Sequence, residues 1–588
     1  MPKLLKSVSF ALASVSVIPL IVGCSDQTTD NPPQAVASDR PVADVIYTNA
    51  RVYTVNQDQP WAEAFAVKDG TFLAVGDLQT VMASKGDNTV IKDLEQRMVM
   101  PGIHDMHAHL FEAGTKELFE CGFPFTYSIE QILERVAGCA AQAEPGAWIR
   151  GGQWAMELLD AAQAPSKELL DSVAPNNPVL LIDSTVHAGW VNSMALNVLK
   201  IDDSTQNPTG GVISRNDAGQ ATGVLFDNAM YQQIYKLPMY SSEQVEQALT
   251  WSIDQFSSVG VTALKDAMVT AQSLAGYTSL SDQGQLNARI VTSLAWRMAW
   301  AGPQDNLNTT IDARESFARD DVRVNFAKIM LDGIPPARTA AIIDPYEPHE
   351  AFPADYRGYM TQSEESLIED MIALDAMGMT VKTHATGDRS ARAVLDAVEA
   401  ARRANGNSGL HHEISHAEMI HPDDLHRFAE LGVVAEMCPI LWYPSPLHNM
   451  MEAALGNERS SRFWQVKTLV DSGALVNYGS DWPSVVPSAS PWPGIEAMVT
   501  RADPYTNTTA QLAAEEAVDL ETALRIFTIN GAETMYNADA SGSIEEGKSA
   551  DFIVLDRNLF DIDATEISDT VVLQTVFEGR TVHSKLSD

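Results

Sequence analysis

The clearest sign of chemistry in this sequence is a pair of histidines one residue apart, in the segment 97–114, RMVMPGIHDMHAHLFEAG. Because side chains alternate between the two faces of a strand, Asp105, His107 and His109 would share one face if this segment is extended. Neutral imidazole is a common ligand of borderline metal ions, so the shared face fits a metal site. Two histidines on a solvated strand are the alternative, and the pair alone does not decide between them.

Four further residues with metal-binding or proton-transferring side chains lie in or after short apolar runs. They are Lys328 in NFAKIMLDG, His384 in VKTHATGD, His416 in ISHAEM and Asp481 in NYGSDWP. Singly, such residues have structural explanations: His384 as a buried, hydrogen-bonded histidine, Asp481 as a helix N-cap. Together with His107 and His109 they form six candidates, each on or at the end of a predicted strand, and this predicts one shared site.

The middle of the chain alternates predicted strands with predicted helices. EQVEQALTWSIDQFSSVG has helical periodicity, and later helices are expected to end at Gly378 and Gly432. Eight strands are predicted at 103–110, 261–267, 288–296, 325–332, 379–385, 411–417, 432–439 and 475–481. This alternation indicates a parallel sheet closed into a TIM barrel, whose active site lies at the C-terminal ends of the strands.

The predicted fold class is therefore α/β, a (β/α)8 TIM barrel over residues 101–540 with a small β-sandwich domain built from both termini. Residues 44–100 and 541–588 supply that domain, because both segments show short β-type runs between turn residues. Between the first and second barrel strands lie about 150 residues, too many for a loop, so residues 111–240 are predicted to form an insertion over the barrel mouth. The alternative makes PVLLIDSTVH a barrel strand.

The N-terminus is typical of an export signal. Residues 1–24 combine Lys3 and Lys6 with the short apolar stretch SFALASVSVIPLIVG, and IVGC resembles a bacterial lipoprotein box that would place a lipid on Cys24. Residues 25–43 have the composition of a flexible tether. These features predict a lipid-anchored protein of the periplasm or the outer surface of a bacterial membrane, with ordinary secretion as the alternative.

Cysteine usage and charge restrict the expected compartment and binding partners of the protein. Cys121 and Cys139 are candidates for a disulfide in an oxidising compartment, Cys438 for a buried thiol, and without a CxxC pair a thiolate zinc site is not expected. The formal net charge is −39, which argues against nucleic acid and against docking on anionic lipid. The expected partners are a small-molecule substrate and a membrane reached only through Cys24, with a homodimer left open.

Several motifs resemble the amidohydrolase superfamily of metal-dependent hydrolases, within it the amidohydrolase-3 or YtcJ-like group. The matching stretches are MPGIHDMHAH, HAGWVNSMAL, TGGVISRNDAGQATGVL, KIMLDG, RTAAIIDPY, THATGDRS, ISHAEMIHPDDLHRFAELGVVAEMCP, GSDWP and GSIEEGKSADFIVLD, so the resemblance covers nearly everything after residue 44. The chain departs from the group at STVHAGW, where Asp-Gly-His is frequent, and at ISHAEM, where Ile-Glu-His is frequent. These departures bear on substrate contacts more than on the metal site.

The resemblance implies two divalent metal ions, usually Zn2+, with Fe, Mn or Co also compatible with these ligands. His107 and His109 would hold one ion, His384 and His416 the other, and a carboxylated Lys328 would bridge them, with an unmodified lysine in a salt bridge or beside a single metal as the alternative. Asp481, bound or adjacent to metal, would accept a proton from the attacking water and pass it to the leaving nitrogen. His187 and Trp190 of the insertion would lie over the substrate, or else serve packing alone.

These implications predict a metal-dependent hydrolase that uses metal-activated hydroxide to cleave a C–N, amide-type bond of a small molecule, such as an N-acyl or N-formyl amine. Two alternatives stay open. The same site would also suit an ester, a lactone or a cyclic imide, and the fold would also suit a non-catalytic binding or regulatory lipoprotein.

Overall fold

The described part of the chain comprises residues 41–586 apart from residues 351, 440, 441, 485, 487 and 507 in this computed structural model. The predicted signal segment and Cys24 lie outside the described residues, as does most of the predicted tether. Among the helices that are described, none combines the length and the apolar composition that a membrane crossing needs.

Within the described residues, seven short strands precede the barrel and divide between two sheets. They are β1 (Val45–Thr48), β2 (Arg51–Tyr53), β3 (Trp61–Ala62), β4 (Ala64–Lys68), β5 (Thr71–Gly76), β6 (Val90–Asp93) and β7 (Met98–Pro101). One sheet has the order β5-β4-β1-β6, while β7, β2 and β3 lie in a second sheet that strands from the other terminus complete.

The first barrel strand, β8 (Ile103–Ala108), is followed by an insertion with a sheet of its own. The insertion strands are β9 (Cys121–Gly122), β10 (Ile149–Trp154), β11 (Val179–Asp183), β12 (Ala188–Val191), β13 (Gly211–Arg215) and β14 (Ala221–Asp227). Their order is β13-β14-β12-β11-β10-β9, so PVLLIDSTVH forms β11 of the insertion and not a barrel strand.

Cys121 and Cys139 are bonded as a disulfide within the insertion, and Cys438 is a buried free thiol.

The barrel continues with seven more parallel strands: β15 (Val261–Val269), β16 (Arg289–Ala295), β17 (Val322–Met330), β18 (Thr380–His384), β19 (Glu413–Ser415), β20 (Val434–Met437) and β21 (Val476–Tyr478). With β8 they form one sheet in sequence order, which confirms the eight predicted strands and the TIM-barrel fold class.

The barrel closes where the chain after β21 reaches β8. The backbone N–H of Asp481 donates to the carbonyl of His107 at 2.7 Å, and that of Ser480 to the Asp105 carboxylate at 3.0 Å. Gly479 permits this approach, because a Cβ at that position would lie 2.4 Å from the His107 Cβ. The last and first strands therefore bring Asp481 beside His107.

Three C-terminal strands, β22 (Phe552–Leu555), β23 (Val572–Phe577) and β24 (Arg580–Ser584), complete the second flanking sheet in the order β24-β23-β22-β7-β2-β3. The two flanking sheets share one apolar core, in which Phe65 of β4 stacks on Tyr47 at 4.7 Å and meets Phe552 edge-on at 4.9 Å. The predicted β domain assembled from both termini is thus confirmed.

Helices connect these strands. They are α1 (Leu78–Met82), α2 (Leu110–Phe119), α3 (Ile129–Gln142), α4 (Lys167–Val173), α5 (Ser193–Leu199), α6 (Asn228–Ile234), α7 (Ser242–Ser258), α8 (Ala271–Asp282), α9 (Gln304–Ala313), α10 (Glu364–Ala376), α11 (Asp388–Asn405), α12 (Leu425–Leu431), α13 (Pro446–Leu455), α14 (Asn457–Ser460), α15 (Val466–Asp471), α16 (Trp492–Thr500), α17 (Leu520–Ile526) and α18 (Ile529–Thr534). Ser241 caps α7 through a capping box with Gln244, and Gly432 ends α12 in a left-handed conformation, as its position after the helical run predicts.

Candidate metal centre

All six candidate residues meet at the C-terminal end of the barrel. His107, Lys328 and His384 lie on β8, β17 and β18, His109 and His416 directly follow β8 and β19, and Asp481 lies three residues after the end of β21. His416 and Asp481 have positive φ angles of 72° and 59°. Such angles are costly outside glycine and cluster at functional sites, where the surrounding fold holds them in place.

One half of the centre joins the first histidine pair to the last barrel strand. His109 Nε2 lies 3.0 Å from Asp481 Oδ1, and His107 Nε2 lies 3.5 Å from the same oxygen. The two imidazole rings are 5.3 Å apart between centroids. Their potential ligand atoms and that of Asp481 all lie within 4.8 Å of one another, which is the spacing a single cation requires.

The other half of the centre contains Lys328, His384 and His416. Lys328 Nζ lies 3.3 Å from His107 Nε2. The His416 ring lies 4.9 Å from that of His107 and 4.7 Å from that of His384, measured between centroids. The structure therefore places Lys328 against His107, and His416 next to both His107 and His384.

Burial sets the protonation of this cluster. It lowers the pKa of His107 and of His416 well below the ordinary value, and neighbouring positive charges, Lys328 among them, lower both further. Burial also lowers the pKa of Lys328 to about 8, although the negative charge of Asp481 opposes this shift. A neutral imidazole binds metal and a neutral amine accepts carbon dioxide, and burial favours both of these forms.

Each of three imidazoles has a partner on its Nδ1 atom. His107 Nδ1 lies 2.5 Å from Glu436 Oε1, His384 Nδ1 lies 3.2 Å from Asp332 Oδ1, and His416 Nδ1 lies 3.4 Å from the Cys438 sulfur. Metal-ligating histidines have such outer partners, which fix the ring orientation and leave Nε2 for the ion. The donor set therefore fits divalent metal on the chemistry of these residues.

Asp105 was expected to share the metal-binding strand face with His107 and His109, but in the structure it has a different role. Its Oδ1 accepts the backbone N–H groups of His107 and Ser480, each at 3.0 Å. Burial raises its pKa to about 7, and its side chain joins β8 to the segment after β21. It supports the closure of the barrel beside the centre.

Sequence reasoning missed a buried charge network beneath the centre. Lys382 forms ion pairs with both Glu413, at 2.8 Å, and Glu436, and Lys265 pairs with the other oxygen of Glu413. All four side chains are fully buried. Their signal in the sequence is a charged residue inside an otherwise apolar strand, as in VVAEMCP, because such a residue has to face the barrel interior.

A cavity of about 500 Å³ opens above the centre. The candidate ligands and Glu418 line its base, and the rest of the lining is mostly apolar surface of the insertion and the barrel loops, with charged side chains such as Glu120 and Arg150 among it. Burial raises the pKa of Glu418 to about 8, and its Oε2 has no hydrogen-bond partner among the described residues. The site thus has a polar base and mostly apolar walls, as small-molecule sites commonly do.

The two insertion residues singled out in the sequence differ in position. His187 lines the cavity, and its ring centroid lies 6.2 Å from that of His384. Trp190 is fully buried in the core of the insertion, packs edge-on against Trp154 and donates from Nε1 to the Ser166 carbonyl at 2.8 Å. Trp190 is not part of the cavity wall, so its surroundings match the packing alternative.

His187 belongs to a hydrogen-bonded group of four side chains. Its Nδ1 lies 2.7 Å from Asp227 Oδ1, and the Tyr359 hydroxyl donates to the other oxygen of Asp227. The Tyr231 hydroxyl lies 3.3 Å from the same Nδ1. Burial lowers the pKa of His187, but the hydrogen bond and the charge of Asp227 outweigh it, and the pKa lies above its ordinary value.

Comparison with known proteins identifies the class. The model of the amidohydrolase family matches residues 90–583, which include the whole barrel and all six candidates. The chain belongs to the amidohydrolase family, and this confirms the family, and with it the hydrolase class, that the motifs predicted.

Two curated relatives span almost the whole chain. The N-substituted formamide deformylase of Arthrobacter pascens is 29% identical over 91% of this chain and 97% of its own length. The protein LONG AFTER FAR-RED 3 of Arabidopsis thaliana is 27% identical over 98% of this chain and 97% of its own. Among solved structures, an uncharacterized metal-dependent hydrolase from Pyrococcus horikoshii matches with a TM-score of 0.70 and 21% identity, over 88% of this chain and 99% of that one, which shows a shared fold.

Proposed function

We propose that this protein is a metal-dependent hydrolase that cleaves the C–N bond of a small amide, such as an N-acyl or N-formyl amine. The observation that carries the proposal is the convergence of six donor residues from five barrel strands at the base of one cavity. A buried cluster of imidazoles, a lysine and a carboxylate is costly to keep without a ligand, because its polar atoms are taken out of water.

The residues present fit two divalent metal ions, and Zn2+ is the ion we propose. His107 and His109 would hold one ion, His384 and His416 the other, and Lys328 in its carboxylated form would contact both, with Asp481 beside the first. When bound, such ions make water nucleophilic near neutral pH and polarise a carbonyl group. Iron, manganese and cobalt suit the same ligands.

The protein's own residues account for the proton movements. Asp481 accepts the proton of the water that attacks the carbonyl carbon, and it returns this proton to the nitrogen as the C–N bond breaks, so that a carboxylic acid and an amine leave. Its position supports this role, since its Oδ1 lies within 3.5 Å of both His107 and His109 and the residue lines the cavity. The neighbouring imidazole of His107, neutral through burial, holds its orientation through Glu436 on its Nδ1 atom.

The cavity supports a substrate with an apolar substituent on the amide. Its walls include Met268, Trp300, Leu307, Leu447 and Met451, and most of the wall surface is apolar. The similarity to a formamide deformylase over nearly the full length favours an amide over an ester. An ester, a lactone or a cyclic imide is the second candidate class, because the same centre would activate water against these carbonyls.

The experiment that tests the proposal combines metal analysis with a substrate screen. The purified full chain, loaded with zinc, is assayed against the 4-nitroanilides of formic, acetic, butyric and octanoic acid and against the matching 4-nitrophenyl esters. We expect about two ions per chain, hydrolysis of at least one anilide, and loss of both metal and hydrolysis in the variant H107A/H109A. Ester hydrolysis alone would replace the amide assignment, and a double variant with unchanged metal content would refute the metal centre.

We also propose that the protein is exported and anchored by a lipid on Cys24. The apolar N-terminal segment that ends in IVGC supports the anchor, and the disulfide between Cys121 and Cys139 supports an oxidising compartment. The test is fractionation of bacteria that produce the full chain. The wild type should follow the membrane fraction, and the Cys24→Ala variant should not acquire a radiolabelled fatty acid, whereas labelling of that variant would refute the anchor.

A further inference from the structure

The insertion contributes a histidine to the cavity, and this histidine is held in an unusually constrained loop. His187 lies in the turn between β11 and β12, next to Val186, which has a φ of 64°. A β-branched residue in the left-handed region is a strained conformation. Asp183 holds the turn by accepting the backbone N–H groups of Thr185 at 2.8 Å and Ala188 at 2.7 Å. The loop therefore presents His187 in one fixed orientation.

The side chain of His187 is fixed as firmly as its backbone. Asp227, at the end of β14, holds Nδ1 at 2.7 Å, and Tyr359, from the loop that follows β17, donates to the second oxygen of Asp227. His187 and Asp227 are buried, with 4% and 5% of their surface exposed. Three separate segments thus converge to orient one ring that lines the cavity beside His384.

The occupied Nδ1 decides which atom of His187 is left for a ligand. With Nδ1 directed at Asp227, the opposite ring nitrogen, Nε2, is the one available to a molecule in the cavity. A preorganised hydrogen-bonding group at a reacting centre acts without having to reorient during the reaction. This arrangement differs from that of His107, His384 and His416, which come from barrel strands and belong to the centre itself.

We propose that His187 is a catalytic residue that contacts the substrate, its Nε2 forming a hydrogen bond with the scissile amide, and that Asp227 and Tyr359 are its positioning residues. This inference rests on the proposed function and adds to it a contact from the insertion. In this arrangement the barrel strands supply the residues of the metal centre, and the insertion at the barrel mouth supplies a residue that binds the substrate. A purely structural network would tie the insertion to the barrel without affecting the reaction.

The test compares variants of the zinc-loaded full chain with the anilide that the wild type hydrolyses best. We expect His187→Ala to lower kcat/KM by about 100- to 1,000-fold, the range for loss of a preorganised hydrogen-bonding group, with kcat carrying most of the loss. His187→Gln, whose amide reaches the position of Nε2, should restore part of the activity. Tyr359→Phe, which removes one hydrogen bond to Asp227, should lower kcat by about 3- to 10-fold.

Metal content and thermal unfolding separate this role from a structural one. The exposed histidine variant His426→Ala, whose side chain lies on α12 away from the cavity, serves as the matched control and should behave as the wild type. If His187→Ala keeps kcat and KM, or loses activity only together with its metal ions, the inference is wrong while the proposed function stands. If the wild type hydrolyses no amide, the proposed function fails first, and the inference fails with it.

Discussion

The Nδ1 atom of His107 and the Oε1 atom of Glu436 lie 2.5 Å apart, in a place where both side chains are almost completely buried. His107 is on β8 and Glu436 on β20, so the contact crosses the interior of the barrel. A carboxylate on Nδ1 fixes the imidazole tautomer and makes Nε2 a better metal ligand. The same carboxylate pairs with Lys382, which links the centre to the charge network below it.

Replacement of Glu436 by glutamine is expected to weaken metal binding. The glutamine retains the shape of the side chain but lacks the charge that favours the donating Nδ1–H of His107, so metal affinity should fall by about 10- to 100-fold. The measurement is the metal content of the protein after dialysis against a graded series of chelator concentrations. Glu430→Gln, at an exposed position of α12, is the control, and equal retention of metal by both variants would contradict the role given to Glu436.

Replacement of Asp481 by asparagine is expected to remove the proton-transferring group without changing the size of the side chain. Loss of a positioned general acid–base typically lowers the rate by about 100- to 10,000-fold, so kcat for an anilide substrate should fall within this range. Steady-state kinetics of the zinc-loaded protein provide the measurement. Asp471→Asn, at an exposed ion pair with Lys467, is the matched control. A variant D481N with wild-type kcat would exclude this carboxylate from proton transfer.

Carboxylation of Lys328 is expected to depend on pH. Only the neutral amine reacts with carbon dioxide, and burial lowers the pKa of Lys328 to about 8. The neutral fraction therefore rises with pH and passes one half near that value, so the carbamate should form more readily at mildly alkaline than at mildly acidic pH. Nuclear magnetic resonance of the metal-free protein with isotopically labelled bicarbonate would detect the carbamate. Lys328→Ala should abolish the signal and Lys467→Ala should keep it; a signal present in both variants would assign the carbamate to another residue.

The barrel was predictable because its signals are local and repeated. Each strand is a short apolar run bounded by turn residues, and residues such as Gly432 end the helices between them. The candidate ligands followed from the same pattern, since a barrel collects the ends of its strands at one face. Predicting these six residues required no distances. It required only the predicted strand on which, or after which, each residue lies.

The contacts around the ligands were not predictable, because they join side chains far apart in sequence. Nothing near His107 in the chain points to Glu436, and nothing near His187 points to Tyr359. The exclusion of Trp190 from the cavity wall likewise depends on the packing of the insertion, where its ring meets Trp154. Periodicity gives the face of a strand, whereas the partner across the barrel depends on the register of every strand between.

The apolar walls of the cavity lead to a prediction about substrate size. Each methylene that enters an apolar cavity contributes about 0.8 kcal/mol, or up to about a 4-fold gain in kcat/KM. Within the anilide series, kcat/KM should therefore rise with acyl length until the cavity of about 500 Å³ is filled. Trp300→Ala removes part of the wall and should reduce this dependence, whereas Trp61→Ala, in β3 of the flanking domain, should preserve it. A rate independent of chain length in the wild type would show that the acyl group lies outside the cavity.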